Sequence, residues 1–149
     1  MKRFICYSVI CLFTGLFLIS CNEKKETSIE GAWNLIDLVN VKDGSVVNSL
    51  PGNISGKQMK IWYDDNFVFV GEFMSDTTEQ NNFGGGTCTL NGNRYEENLS
   101  YHVNSDYIGT TVKMLIEINH DTLIHKWPVD SNWTLDDNNY NMEKYVRIK

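Results

Sequence analysis

The chain is poor in basic residues and has no cluster of them. Thirteen Lys and Arg stand against nineteen Asp and Glu, a net charge of −6. Binding to a phosphate backbone needs grouped cations, so nucleic acid is excluded as a partner. No stretch of the domain shows a helical period, and no repeat exceeds a recurrent strand spacing. The three histidines, His102, His120 and His125, do not form a spaced metal motif. No Ser/His/Asp set can be assembled. No metal, no cofactor and no enzymatic activity are therefore expected. A bilayer-spanning run is missing too: the apolar stretch Phe4–Ile19 is shorter than the roughly 20 residues a spanning helix needs.

That short run has a different use. Lys2 and Arg3 precede it, and it ends in Leu18-Ile19-Ser20-Cys21. A charged start, an apolar centre and small residues at the end make a secretory signal. The last four residues resemble a bacterial lipobox. That resemblance implies lipidation of Cys21, cleavage before it and acylation of the new amino end, and two or more acyl chains anchor stably where one is marginal. The expected organisation is a signal peptide at 1–20, a lipidated cysteine with a flexible tether at 21–28, and one domain at 29–149. The tether, Asn22 to Ser28, is too polar to pack. The expected location is the cell envelope, lipid-anchored in the outer membrane on its periplasmic face or at the cell surface, with the membrane as a partner through Cys21.

Cysteine arithmetic follows from this. Cys6 and Cys11 leave with the signal, Cys21 carries lipid, and Cys88 alone remains, so no internal disulfide is expected despite export. A lone cysteine in a strand pattern acts as a small core hydrophobe. A reactive thiol wants an electropositive setting with a base, and nothing local supplies one. Losing Lys2 and Arg3 leaves eleven basic against nineteen acidic residues, a net charge of −8.

The domain alternates with period two. Ala32–Val41, Lys57–Tyr63, Asn66–Met74, Gly86–Leu90, Arg94–His102, Thr110–Asn119, Asp121–Trp127 and Tyr140–Ile148 each read as a strand rich in aromatic and β-branched residues. In the second, Met59, Ile61 and Tyr63 are set against Lys60. Asp64-Asp65-Asn66, Asn91-Gly92-Asn93 and Asn119-His120-Asp121 read as turns, and short hairpins force antiparallel pairing. Asp43–Gly56, Ser75–Gly85 and Pro128–Asn139 read as longer loops. About eight meandering strands predict an all-β fold, an antiparallel up-and-down barrel or a sandwich. Gly84-Gly85-Gly86 invites a phosphate-cradle reading. A cradle needs a helix after its loop, whereas another strand pattern follows here. The glycines read as a loop entering a strand or as a bulge at a barrel rim.

Three segments resemble one family. Glu30-Gly31-Ala32-Trp33-Asn34-Leu35 is similar to the Gly-x-Trp opening of lipocalin and wider calycin barrels. The stretch from Gly84 through Asn91-Gly92-Asn93-Arg94-Tyr95-Glu96-Glu97 resembles the bacterial lipocalin-like domains of Bacteroidetes lipoproteins, with Cys88 where that family tends to carry an aromatic. Glu143-Lys144-Tyr145-Val146-Arg147-Ile148 resembles its last strand. The resemblance implies a single lipocalin-like barrel of about eight strands with an interior site. It also implies that Trp33 plugs one barrel end while Arg147 packs across it, a cation–π contact worth about 0.5–2 kcal/mol.

Period two puts Tyr95, Glu97, Leu99 and Tyr101 on one face, and Glu96 on the other with Arg94 and Asn98. With the aromatic face inward, Glu97 is a buried carboxylate, which must be paired, hydrogen-bonded or protonated. It is satisfied by tyrosine hydroxyls or an internal cation, or binds a polar head group, or acts as a base. His125 lies between Leu123 and Trp127 and is read as inward, whereas His102 is read as outward, opposite Tyr101. Trp133, in the polar loop Asp130–Thr134, stacks on a ligand, closes a lid or anchors its loop. The leading expectation is non-covalent binding of a small apolar or amphipathic ligand through Tyr95, Glu97, Tyr101, His125 and Trp127, in a monomer. The alternative is an envelope interaction module with a filled barrel whose loops bind protein or glycan. A third reading is an enzyme with Glu97 as base.

Overall fold

A computed structural model describes residues 28–75 and 77–149. The signal-like segment, Cys21 and the tether up to Thr27 lie outside the described residues. Nine strands follow in order: β1 (Gly31–Lys42), β2 (Ser45–Leu50), β3 (Ile54–Tyr63), β4 (Asn66–Ser75), β5 (Thr78–Asn91), β6 (Arg94–His102), β7 (Thr111–Asn119), β8 (Thr122–Trp127) and β9 (Tyr140–Arg147). From β3 to β9 each strand pairs antiparallel with the next. β1 joins β3 on one edge and β9 on the other, so eight strands close into a barrel. Closure gives each of those strands a paired neighbour on both sides, with β3 and β5 extending beyond β1 and β6 at one end. β2 is the extra strand: it pairs with the far half of β1 beyond the point where β1 parts from β3. It occupies the expected Asp43–Gly56 loop, anchored by the buried side chain of Leu50.

The turns fall where sequence reading puts them, at Asp64-Asp65, Gly92-Asn93 and His120-Asp121. Asp64 and His120 adopt left-handed backbone, φ 49° and 54°, as such tight turns require. The end carrying these turns, the start of β1 and the end of β9 is called the lower end below. There Trp33 is fully buried, and its indole N–H donates to the Ile29 carbonyl at 2.8 Å. The Arg147 guanidinium lies 4.1 Å from the Trp33 ring centroid and donates to the backbone carbonyls of Glu30 and Ser28. Gly31 permits this: its φ is 111°, and a Cβ there would come within 2.9 Å of Arg147 Nη1.

Beyond the strand found in the expected Asp43–Gly56 loop, three expectations are corrected. On β3 the buried side chains are Gln58, Lys60 and Trp62, not Met59, Ile61 and Tyr63. Trp62, with the largest apolar surface of the strand, takes the inner face, and period two carries Lys60 and Gln58 in with it. Ser75–Gly85 is not a loop but the turn and first half of β5, paired with β4 down to Ser75↔Thr78. Thr78–Asn81 are exposed on both faces, so they carry no alternation to read. The third correction is Tyr101, which is 72% exposed. Gly85 pairs with Tyr101 and Gly86 with Leu99, which leaves Ser100 as an extra residue on β6. This bulge reverses the alternation, so Tyr101 turns out and His102 turns in. The glycines create the space it needs: a Cβ on Gly86 would lie 1.9 Å from the Asn98 carbonyl oxygen, and one on Gly84 would lie 2.5 Å from Phe69 Cζ.

Candidate functional site

The barrel interior divides at Lys60. Below it, Trp33, Trp62, Tyr95, Leu123 and Tyr145 are each at most 1% exposed. Trp62 meets Trp33, Tyr95 and Tyr145 edge-on at 6.3–6.5 Å between ring centroids, a favoured aromatic geometry. At and above Lys60 the wall becomes polar and a cavity of about 240 Å³ opens.

Two buried polar chains line this upper half. In the first, Lys60 from β3 is ion-paired to Glu97 Oε1 from β6, and both side chains are 4% exposed. The Tyr95 hydroxyl donates to the same carboxylate oxygen at 2.8 Å and accepts from the Trp62 indole N–H at 2.6 Å. The ammonium also lies 5.1–5.4 Å from the ring centroids of Trp62, Phe67 and Phe69. A buried carboxylate requires such partners. Burial, reinforced by the charge of Glu97, pushes the Tyr95 hydroxyl well above its ordinary value, so it remains a donor.

In the second chain, Glu143 from β9 receives two donors on Oε2: His125 Nε2 from β8 at 2.8 Å and the Tyr145 hydroxyl at 2.6 Å. Gln58 donates to that hydroxyl, and Asn82 donates to Gln58 Oε1 at 2.7 Å. Burial alone would raise the Glu143 carboxyl. The hydrogen bond and charge of His125, with the charge of Lys60, outweigh burial and hold it below the usual carboxylate range. The Tyr145 hydroxyl is driven well up, first by burial and then by Glu143. Facing an ionised carboxylate, His125 Nε2 carries the proton. His125 Nδ1 is buried and has no hydrogen-bond partner among the described residues.

Of the residues singled out from sequence, Glu97, His125 and Trp127 line the cavity. Tyr95 lies beneath it as a hydrogen-bond partner of Glu97, and Tyr101 lies outside. Glu97 and His125 do not pair with each other: each has its own partner, Lys60 and Glu143, and sequence reading had assigned neither to the site. The signal existed, since Gln58-x-Lys60-x-Trp62 alternates in step with its tryptophan and Glu143-x-Tyr145 mirrors Tyr95-x-Glu97. Phe69, Leu99, Val112 and Met114 complete the apolar wall, and His102 and Tyr107 stand at the upper end. Trp133 sits on the outer wall, with Arg94 and Lys113 each 5.4 Å from its ring, and so anchors its loop. Cys88 is 5% exposed, and burial pushes its thiol up, the behaviour of a core residue. Among the described residues no three His, Cys, Asp or Glu side chains are grouped to hold a metal.

The fold and site thus define a closed antiparallel barrel, plugged at one end, with a polar-and-apolar cavity in its other half. No protein-family model matches the chain, and no curated protein matches it.

Proposed function

We propose that this is a lipocalin-like binding protein that holds a small, partly apolar molecule in the upper half of its barrel, and that Cys21 anchors it in the outer membrane by lipid. The observation that carries the reading is the cavity. One end of the barrel is filled with rings, whereas the other keeps about 240 Å³ open between a polar wall and an apolar one. Ligand sites are typically concave and mostly apolar, with a few convergent polar groups. The reading is of binding without turnover, because Lys60, Glu97, Glu143 and His125 are each engaged with a protein partner. Native mass spectrometry of the protein purified from its own cells tests it. A co-purifying small molecule, lost in Trp127→Ala, supports the reading; a clean apo mass overturns it.

The interaction-module alternative has one observation in its favour. Val68, Val70, Phe83 and Tyr101 are exposed, with Val68↔Gly85↔Tyr101 and Val70↔Phe83 side by side in register on the outer wall. Exposed apolar patches of this kind mark contact surfaces. Crosslinking in intact cells, comparing wild type with Tyr101→Ser, would reveal a partner held by that wall.

A further inference from the structure

The outer wall made by β3, β4, β5 and β6 carries two apolar rows in register. Ile61, Val68, Gly85 and Tyr101 form one, and Met59, Val70, Phe83 and Val103 the other. Tyr63 stands below them at the β3–β4 turn. Tyr63 and Tyr101 are 71% and 72% exposed, and Val68, Val70, Phe83 and Val103 are exposed with them. Neither row holds a charge. The next outward row on β3 and β4 holds Lys57 and Glu72, which pair with each other at 2.9 Å. Contiguous exposed apolar faces mark contact surfaces, and two features say what covers this one. The first is where the chain enters. Ala32 pairs with Ile61, so the chain leading from Cys21 joins the barrel at its lower end, on the strand beside the wall. Ser28 follows Cys21 by seven residues, a reach of at most about 25 Å. A lipid on Cys21 therefore keeps the bilayer within reach of this wall, and a tethered surface acts at high effective concentration. The second feature is shape. Protein partners are held by anchors sunk into pockets, whereas the outside of a closed barrel is convex and suits a partner that deforms. Exposed tyrosines around apolar side chains match a membrane interface, where an aromatic ring with a polar tip is favoured.

We propose, resting on the lipid anchor at Cys21 assigned above, that the β3–β6 wall lies on the bilayer surface, with Tyr63 and Tyr101 among the head groups and Val68, Val70 and Phe83 against the acyl boundary. The barrel then lies on its side. This orientation brings the cavity mouth to the membrane, because His102, which lines the cavity at its upper end, stands between Tyr101 and Val103 of the wall. An amphipathic ligand has a short path from bilayer to barrel.

Hydroxyl-radical footprinting read by mass spectrometry tests this on the wild-type protein, purified from its own cells and placed in vesicles of phosphatidylethanolamine and phosphatidylglycerol. Tyr140 is the internal reference. It faces outward on β9, across the barrel from the wall, and is half-buried beneath Lys126. In a barrel free of the bilayer, Tyr63 and Tyr101 oxidise faster than Tyr140 because they are more exposed. Docking should reverse that order, with Tyr63 and Tyr101 losing most of their oxidation, and the reversal should persist as the protein is diluted with lipid. If Tyr63 and Tyr101 stay fastest while the protein floats with the vesicles and Cys21 carries lipid, docking is overturned and the anchor stands. A Cys21 without lipid overturns both. Protection lost on dilution identifies a second copy of this chain on the wall, and protection found only in whole cells identifies a protein partner. Either result overturns the bilayer assignment.

Discussion

Below Lys60 the barrel interior is built from rings that touch edge to edge and leave no room; above it, the same strands present amides, carboxylates, an ammonium and an imidazole around an open space. Both halves are buried. Among the described residues every buried side-chain polar atom except His125 Nδ1 has a partner, but the two halves are held by different physics. The lower half gains from apolar area removed from water, about 25 cal/mol per Å², and its few polar atoms are ring hydroxyls and indole N–H groups already bonded. The upper half gains little from its ion pairs, because desolvation offsets much of their attraction. What those pairs supply is a fixed arrangement of charge around a cavity. The plugged half reads as the stability of the molecule, and the polar half as its selectivity.

If that division holds, the largest stability loss should come from the plug. Trp33→Ala removes a fully buried indole and should cost about 3–5 kcal/mol in urea unfolding, while affinity for any cavity ligand in the folded fraction stays within twofold. Next, Lys60→Met leaves Glu97 buried without its cation and should cost about 3 kcal/mol. Adding Glu97→Gln should restore more than half of that, a non-additivity that a purely apolar core would not show. Gly84→Ala sets a methyl group against the Phe69 ring and should cost about 1–2 kcal/mol. Since Phe69 also lines the cavity, ligand affinity should fall in that variant, unlike in Trp33→Ala. If both variants bind equally well, the division between the halves is wrong.

The smallest effect concerns acid. The folded state holds the Glu143 carboxyl below its ordinary 4.5, so it binds fewer protons there than the unfolded chain does. The stability this contributes is complete above about 4.5 and is lost as pH falls through the lowered folded value. Lys60 from β3, Cys88 from β5, Tyr95 and Glu97 from β6, His125 from β8 and Tyr145 from β9 are the other buried titratable groups of the same interior among the described residues. Unfolding followed from neutral pH down to about pH 3 should show this loss in wild type and a shallower one in Glu143→Gln.

Apart from β2, the start of β3 and the first half of β5, which were read as loops, strand positions were legible; so were the turns and the inward faces of β4, β7 and β8, because each of those strands has an inner face distinct from a largely solvated one. β3 was misread because its inner face carries Gln58 and Lys60, which look like surface residues until Trp62 is seen to set the register. Tyr101 was misread because a single inserted residue, Ser100, inverts the alternation beyond it, and a bulge of this kind depends on which residues lie opposite. Glu97 was legible as a buried carboxylate. Its partner was not, since β3 and β6 meet only across the barrel.

By itself the sequence determined an all-β chain of antiparallel hairpins, a core cysteine and a carboxylate facing inward. Those features follow from local periodicity, turn chemistry and the cost of burying charge, all of which act over a few residues. Only the tertiary structure decided that Lys60 answers Glu97, that Glu143 answers His125, and that one half of the barrel remains open. These depend on closure of β1 against β9, which brings side chains distant in the chain into one desolvated space where each charge must find a partner.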